Sequence, residues 1–305
     1  MSKRTKAYIA LLTTTLIWGA AFPIIKPSLS VISPYQFLYF RYLIAAPLTL
    51  PVLIYFLFKL KPSLKTLLKI TLLELFGAPI ALSILYLGLT KTTAIEASLI
   101  GATSPILIIL GGIIFLKEKE EKLEWIGLTI AFLGTLVLVL EPLLTGKNLT
   151  ATFSLTGNLL ILLYNLLIAG YYLTAKKLYK SLPKIFVTSL SYSVSLIAFF
   201  IFLNFTHQSN STLLLSVPSV LVAAAYMAIL GSIVALTTRI YGQDLIEASE
   251  ASLFTYLQGV VAIPFAIWLL QESITWPQVV AMLIISLGVF LGEYRPRKKL
   301  AKKAS

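Results

Sequence analysis

Two charged residues stand inside long apolar stretches of this sequence, where a charge in hydrocarbon is costly unless it faces protein, water or a partner. Arg41 and Glu74 each lie about 10 Å from the end of their stretch at 1.5 Å per residue. Arg41 could attract an anionic group such as an amino-acid carboxylate; packing, snorkelling or pairing with Glu96 are the structural alternatives. Glu74 could bind a proton or an amine. Because the helices that carry Arg41 and Glu74 begin at opposite faces of the membrane, we do not expect a direct ion pair between them.

Uncharged candidates for a binding site cluster near the middle of the same stretches. Trp18 and Phe22 are four residues apart and share a helix face. Pro105 lacks an amide, which leaves a carbonyl near residue 101 free to face a ligand or water. Aromatic surfaces with a few hydrogen-bonding groups suit an amphipathic organic solute, although each residue singly could serve core packing or an interhelical hydrogen bond. The candidates are Trp18, Phe22, Thr103, Ser104, Asn165, Tyr171, Tyr226, Ser232, Tyr256 and Gln258.

Two glutamates open apolar stretches at opposite faces. Glu96 and Glu250 sit where a helix N-terminus favours a carboxylate, so helix capping is one interpretation. The other is a pair of alternating gates, with Glu96 joined to Lys91 or Lys26 on one side and Glu250 joined to Arg239 on the other. We keep both interpretations open.

The elements that carry these residues are transmembrane helices. The chain is 58% hydrophobic and 12% charged, which excludes an ordinary water-soluble domain. A spanning helix needs about 20 apolar residues. Ten stretches qualify, so we predict an all-α membrane protein with ten transmembrane helices: Ala7–Ile25, Tyr35–Phe58, Leu67–Leu89, Ala94–Leu116, Trp125–Leu140, Leu155–Ala175, Ile185–Leu203, Pro218–Tyr241, Ala248–Leu270 and Pro277–Leu291.

The ten helices fall into two copies of one unit. Residues 94–136 and 248–290 align without a gap at an offset of 154, with 12 of 43 positions identical. Identical pairs include Glu118 with Glu272, predicted anchors of the turn into the last helix of each copy. Five helices per copy force the second copy to enter from the other face, so the repeats are predicted to be inverted.

Lysine and arginine positions set the predicted orientation. One side receives the basic residues near the N-terminus, the lysine-rich connections and the C-terminal tail, whereas the other receives only Lys26, Lys91 and Lys147. Basic residues concentrate on the cytoplasmic side, so both termini are predicted to be cytoplasmic. This accounts for the net charge of +13 without a nucleic-acid partner, and the tail is expected to rest against anionic lipid.

Several motifs resemble one transporter family. They are Leu-Ile-Trp-Gly-Ala-Ala-Phe at 16–22, Phe-Arg-Tyr at 40–42, Ala-Ser-Leu at 97–99 with Ser-Pro at 104–105, and Leu-Lys-Glu at 116–118 with Ile-Gly-Leu at 126–128. In order and spacing they resemble the EamA branch of the drug/metabolite transporter superfamily. The resemblance implies a secondary transporter with ten helices in two inverted repeats, which moves small metabolites and often moves them outward. It assigns one EamA-like five-helix repeat to residues 7–141 and a second to 155–292. The basic residues that follow predict a cytoplasmic tail at 293–305.

We therefore expect a non-enzymatic exporter in the cell membrane that alternates access to a central cavity. A non-transporting scaffold or receptor, or an intramembrane enzyme, are the alternatives. No cofactor or metal is expected, because cysteine is absent, His207 is the single histidine, and there is no Walker-type loop or His-Glu-x-x-His. The expected partners are a small-molecule substrate and membrane lipid. Facilitated diffusion, exchange and proton coupling through Glu74 all stay open, as do substrate identity and oligomeric state.

Overall fold

A computed structural model describes residues 1–101, 103–116, 122–144, 148–179, 182–207, 216–246 and 248–293. All regular structure in these ranges is helical. The helices, numbered in chain order, are α1 (Lys3–Ile25), α2 (Pro34–Leu60), α3 (Leu64–Leu75 and Ala81–Leu89), α4 (Ala94–Gly101 and Ser104–Leu116), α5 (Lys122–Leu144), α6 (Asn148–Leu178), α7 (Lys184–Phe205), α8 (Pro218–Ala225 and Ala235–Gln243), α9 (Ala248–Leu270) and α10 (Trp276–Glu293). A 3₁₀ segment, Lys26–Ser30, follows α1.

Within the described ranges, six helices are long and apolar enough to cross a membrane: α1, α2, α3, α6, α7 and α8. Four shorter apolar helices, Ala94–Ile108, Trp125–Glu141, Leu257–Leu270 and Trp276–Gly288, belong to α4, α5, α9 and α10. The prediction of an all-helical membrane protein is confirmed at this level, whereas the count of ten spans stays a prediction. Large apolar side chains on the outside of the bundle, among them Leu72, Ile197 and Leu283, are more than half exposed, as expected of a surface that faces lipid rather than water.

Three helices are interrupted, each near a residue that weakens regular α-helix. In α3 the turn Phe76–Ile80 is π-helical and contains Pro79, and in α8 the π-helical stretch Tyr226–Val234 contains Gly231. When the π segment of α3 is shifted by the repeat offset of 154 residues, it corresponds to residues 230–234, which lie inside the π segment of α8. The third break, after Gly101 in α4, lies beside Pro105, as the missing proline amide predicts. Because π turns leave carbonyls without their usual helical partners, these positions can offer polar groups to other helices.

The helices pack in pairs that repeat between the two halves. Helix α1 packs on α9 and α8, and α6 packs on α4 and α3. The two sets of contacts correspond when each helix of the first half is matched with the helix five places later, so that α1 matches α6, α3 matches α8 and α4 matches α9. In the pairs α2–α7, α4–α9 and α5–α10, each helix packs on its own counterpart in the other half. At the α5–α10 contact, Gly134 lies against Ile284 and Ile285, while Gly288 lies against Gly127 and Ala131. The absence of side chains at these two glycines permits close approach of the helix backbones.

Candidate functional site

A cavity of about 300 Å³ lies in the middle of the bundle. Residues from α1, α2, α3, α4, α6, α7, α8 and α9 line it, so both halves of the chain contribute. Its walls are largely aromatic and aliphatic, with two arginines and several hydroxyl groups. A concave, mostly apolar space with a few converging polar groups is the usual form of a small-molecule site.

Arg41 on α2 is the charged group at one part of this cavity. Its Nε and Nη2 donate to Ser232 Oγ at 3.0 and 2.9 Å, and Nη1 donates to Tyr86 OH at 3.4 Å. The guanidinium carbon lies 5.4 Å from the centre of the Tyr42 ring. Ser232 belongs to the π segment of α8 and its own hydroxyl donates to Met227 O at 2.8 Å. The π segment therefore supplies the group that positions Arg41.

Trp18 on α1 joins the same π segment to the second arginine. Its Nε1 donates to Gly231 O at 2.8 Å, and the guanidinium carbon of Arg239 lies 5.1 Å from the centre of the Trp18 ring. Tyr192 OH on α7 donates to Ser232 O at 2.8 Å. Two consecutive carbonyls of α8 thus accept from α1 and α7, and this fixes two aromatic walls of the cavity.

The structure brings together seven of the residues predicted from sequence. Six binding candidates and one gating candidate line the cavity: Trp18, Phe22, Arg41, Ser104, Ser232, Gln258 and Arg239. Cavity-lining residues that sequence reasoning missed include Tyr86, Ser98, Tyr164, Tyr172 and Tyr192. Tyr164, Ile168 and Tyr172 are spaced by four residues along α6, and that spacing is the signal that could have identified this face.

Three other binding candidates serve contacts between helices and do not line the cavity. Asn165 of α6 donates to Ile100 O of α4 at 2.8 Å and to Thr103 Oγ1, at the break in α4, at 3.4 Å. Thr103 Oγ1 itself donates to Ile100 O at 2.6 Å, a contact local to the break in this helix. Tyr226 donates to Ile17 O at 2.6 Å. For these residues the interhelical alternative describes the observed contacts. The side chains of Tyr256 and Glu250 lie outside the described part of the structure, as do Glu118, Lys147 and residues 294–305.

Comparison with known proteins identifies the family. The model of the EamA-like transporter family matches residues 5–140 and 155–292. The chain belongs to this family. An uncharacterized transporter of Archaeoglobus fulgidus is 24% identical over 290 residues, covering 94% of this chain and 97% of the relative. The uncharacterized transporter YcxC of Bacillus subtilis is 28% identical over 306 residues, covering 97% and 96%.

Further relatives agree with this assignment. The uncharacterized inner membrane transporter YedA of Escherichia coli is 26% identical over 304 residues, covering 94% of this chain and 92% of the relative. A crystal structure at 14% identity superimposes with a TM-score of 0.64 over 95% of this chain and 97% of the other, so the two share a fold. This EamA-like protein is accordingly a multi-pass membrane protein, and the names of its relatives point to transport rather than catalysis.

Glu74 of this EamA-like protein lies in a separate buried cluster. Its Oε1 accepts hydrogen bonds from Tyr171 OH on α6 at 2.8 Å and from Tyr179 OH, directly after the end of α6, at 2.6 Å. Ser191 on α7 also hydrogen-bonds the carboxylate. The residue is 2% exposed. Tyr171 therefore faces α3, one residue away from Tyr172, which faces the cavity.

Glu96 forms the capping box of α4. Thr93 N donates to Glu96 Oε2 at 3.1 Å, and Glu96 N donates to Thr93 Oγ1 at 3.0 Å. Thr92, Ser154 and Asn158 donate to the same carboxylate at 2.6, 2.8 and 3.2 Å. The structure thus places Glu96 in a network of uncharged donors, and the capping interpretation describes it.

Lys26 instead pairs with Glu272. Its Nζ lies 2.9 Å from Glu272 Oε1 and donates to Thr92 O at 2.5 Å. Glu272 Oε1 and Oε2 accept from the backbone amides of Ala94 and Ile95 at 2.8 and 3.0 Å. One carboxylate after α9 therefore caps α4 and holds the lysine that follows α1. We call Lys26, Glu272 and these two amides the latch.

Proposed function

We propose that this chain is a secondary transporter that exports small metabolites by alternating access to the central cavity. The observation that carries the proposal is the cavity itself, which is lined from both halves of a chain of the EamA-like transporter family. A site between two matched halves can be exposed to one side or the other when the halves rock against each other. The competing functions are a membrane scaffold or receptor and an intramembrane enzyme, neither of which requires passage through the cavity.

The arrangement proposed is ten spans in two inverted repeats, residues 7–141 and 155–292. Two observations support it: the helix contacts of one half match those of the other when helices five places apart are compared, and the matching helices α3 and α8 both contain a π segment. With lysines as the guide to orientation, both termini are cytoplasmic and the latch lies at the outer end of the bundle. The latch then joins α1 and α4 of the first repeat to α9 of the second, where an outer gate must act.

Glu74 is the proposed proton site if transport is coupled to protons. The carboxylate is on α3, whereas its hydroxyl donors belong to the other repeat, on α6, directly after α6 and on α7. Separation of the repeats would remove these donors from the carboxylate, so its affinity for a proton would differ between the two conformations. This supports coupling without requiring Glu74 to touch the substrate.

The function is tested by flux in reconstituted vesicles with one cavity-blocking variant and one matched exterior variant. Ser104→Phe places a ring in the cavity, whereas Thr129→Phe places it on an exposed position of α5. We expect saturable counterflow of a substrate found by screening metabolites in wild type and Thr129→Phe, and its loss in Ser104→Phe. Absence of saturable flux from folded wild-type protein in a screen of amino acids, purines and organic anions would favour the scaffold. Uptake into right-side-out and inside-out vesicles gives the direction.

A further inference from the structure

We infer that the cavity accepts small organic anions, with a carboxylate or chemically similar head and an apolar, preferably aromatic body. This inference rests on the proposed function and specifies its substrate class. It combines the charge of the cavity lining, the unused donors of one arginine, an unpartnered hydroxyl group and the aromatic walls.

The charge of the lining has one sign. Arg41 and Arg239 are its charged members, and no aspartate or glutamate is among the described lining residues. Three buried carboxylates of the first repeat lie elsewhere. Glu74 is bound by Tyr171 and Tyr179, Glu96 lies within the capping network, and Glu141 accepts from Thr275 Oγ1 at 2.7 Å. An organic cation in this space would meet like charges in a poorly solvated site, whereas an anion would meet two opposite ones.

Arg41 retains donors for such an anion. A guanidinium has five N–H groups, and the described contacts use one on Nε, one on Nη1 and one on Nη2. One N–H remains on each terminal nitrogen, and within the described ranges no carboxylate pairs with this side chain. Planar guanidinium donors match the two oxygens of a carboxylate. Ser232 and Tyr86 hold the group in place, so little side-chain entropy remains to be lost on binding.

Ser98 adds a second polar group that awaits a partner. Its side chain is 7% exposed, lines the cavity, and its Oγ has no hydrogen-bond partner within the described part of the protein. Buried hydroxyls are nearly always hydrogen-bonded, so an unpartnered one at a cavity wall indicates a bound ligand or water in the working protein.

The rest of the wall selects the body of the ligand. Trp18 and Phe22 from α1, Tyr164 and Tyr172 from α6, and Tyr192 from α7 surround a space of about 300 Å³. This volume is at the small end of ligand sites. A single aromatic ring with a short acidic arm therefore fits the combination of walls and charge.

The test compares three probes that share one ring and one arm length: phenylacetate, phenylacetamide and phenethylamine. Binding to the purified full chain is measured by calorimetry and by quenching of tryptophan fluorescence. We expect phenylacetate to bind at least tenfold more tightly than the amide, and the amine to bind most weakly. Equal or tighter binding of the amide or the amine, or no binding of phenylacetate at millimolar concentration, would overturn the inference.

Variants assign the preference to the cavity. Arg41→Gln should lower the affinity for phenylacetate about tenfold or more while leaving that for the amide within twofold, and Arg41→Lys should retain part of the preference. Arg4→Gln, at an exposed position near the N-terminus, is the matched control and should bind as wild type. If Arg41→Gln does not fold, Arg239→Gln takes its place with the same expected direction. Unchanged anion preference in every folded cavity variant would overturn the inference.

Failure of the inference and failure of the proposed function give different results. Preferential binding and flux of the amine would refute anion selectivity while transport stands. Selective binding of phenylacetate that is lost in the variant, without saturable flux of any anion, would support the anion site and refute transport.

Discussion

Disruption of the latch should raise the exposure of the cavity to the outside. Lys26 and Glu272 side chains are 26% and 11% exposed, and their contact is 2.9 Å long. An exposed pair contributes about 0–1 kcal/mol and a hydrogen bond to a charged group about 1.5–3 kcal/mol. Since this pair is only partly exposed, we take about 1.5 kcal/mol, equivalent to about a tenfold change in the ratio of outward-open to outward-closed forms.

The assay uses the absence of cysteine from the natural sequence. Ser104→Cys introduces a single thiol at the cavity wall, and a membrane-impermeant maleimide added outside cells reports its exposure. We expect the labelling rate to rise about tenfold when Lys26→Met or Glu272→Gln is added. The double variant should label no more than about twofold faster than either single variant, because both substitutions break the same contact.

A matched ion pair provides the control. Lys184 and Asp244 lie 3.2 Å apart with side chains 61% and 64% exposed, so Lys184→Gln should leave labelling unchanged. If Lys26→Met and Glu272→Gln both label at the rate of the parent while thermal unfolding shows them folded, the latch does not close the outer side. Equal increases in all three variants would indicate general loosening instead.

The remaining predictions concern packing, capping and coupling. Gly288→Ala should lower the free energy of unfolding by about 1–3 kcal/mol, because a Cβ would lie 2.6 Å from Gly127 O. Gly170→Ala is the control and should be neutral or slightly stabilising, because a Cβ there would have nothing within 4 Å. Equal melting temperatures of the two variants in detergent would contradict this. Glu96→Gln should cost about 1–3 kcal/mol of stability, because it weakens five hydrogen bonds from Thr92, Thr93, Ser154 and Asn158. Asp244→Asn, at an exposed carboxylate, is the control and should cost little. If Glu96→Gln destabilises the protein no more than Asp244→Asn does, the capping role is refuted. Glu74→Gln should abolish the pH dependence of flux, and Tyr179→Phe, which removes one donor to this carboxylate, should alter it. Flux that keeps the parental pH profile in Glu74→Gln removes this residue from coupling.

Sequence reasoning located most helices well because hydrophobic length is a local property. The first predicted stretch, Ala7–Ile25, ends at the residue where α1 ends. The sixth, Leu155–Ala175, is shorter than α6, which extends over Asn148–Leu178 with polar residues at both ends. Polar ends of a helix outside the apolar run leave no hydropathy signal, so only capping and packing reveal them.

Side-chain direction was the part that hydrophobicity did not encode. Tyr171 and Tyr172 are adjacent, yet one binds Glu74 and the other lines the cavity. Each residue turns about 100° around a helix, so a single step in register changes the neighbour. Helices that are apolar on all sides carry no amphipathic pattern to set this rotation. For Thr103 and Ser104 the same step separates a bond to Ile100 O from the cavity wall.

By itself the sequence determined the class of protein, the two related halves, their family and the polar residues from which a site could be built. These follow from composition, period and motif order, which are properties of the chain read locally or compared with itself. Only the tertiary structure decided that Glu272, rather than Glu96, meets Lys26, and that Ser232 holds Arg41 across 191 positions of sequence. Such contacts depend on which helices adjoin and how π segments rotate them, because a side chain's partner is set by three-dimensional packing.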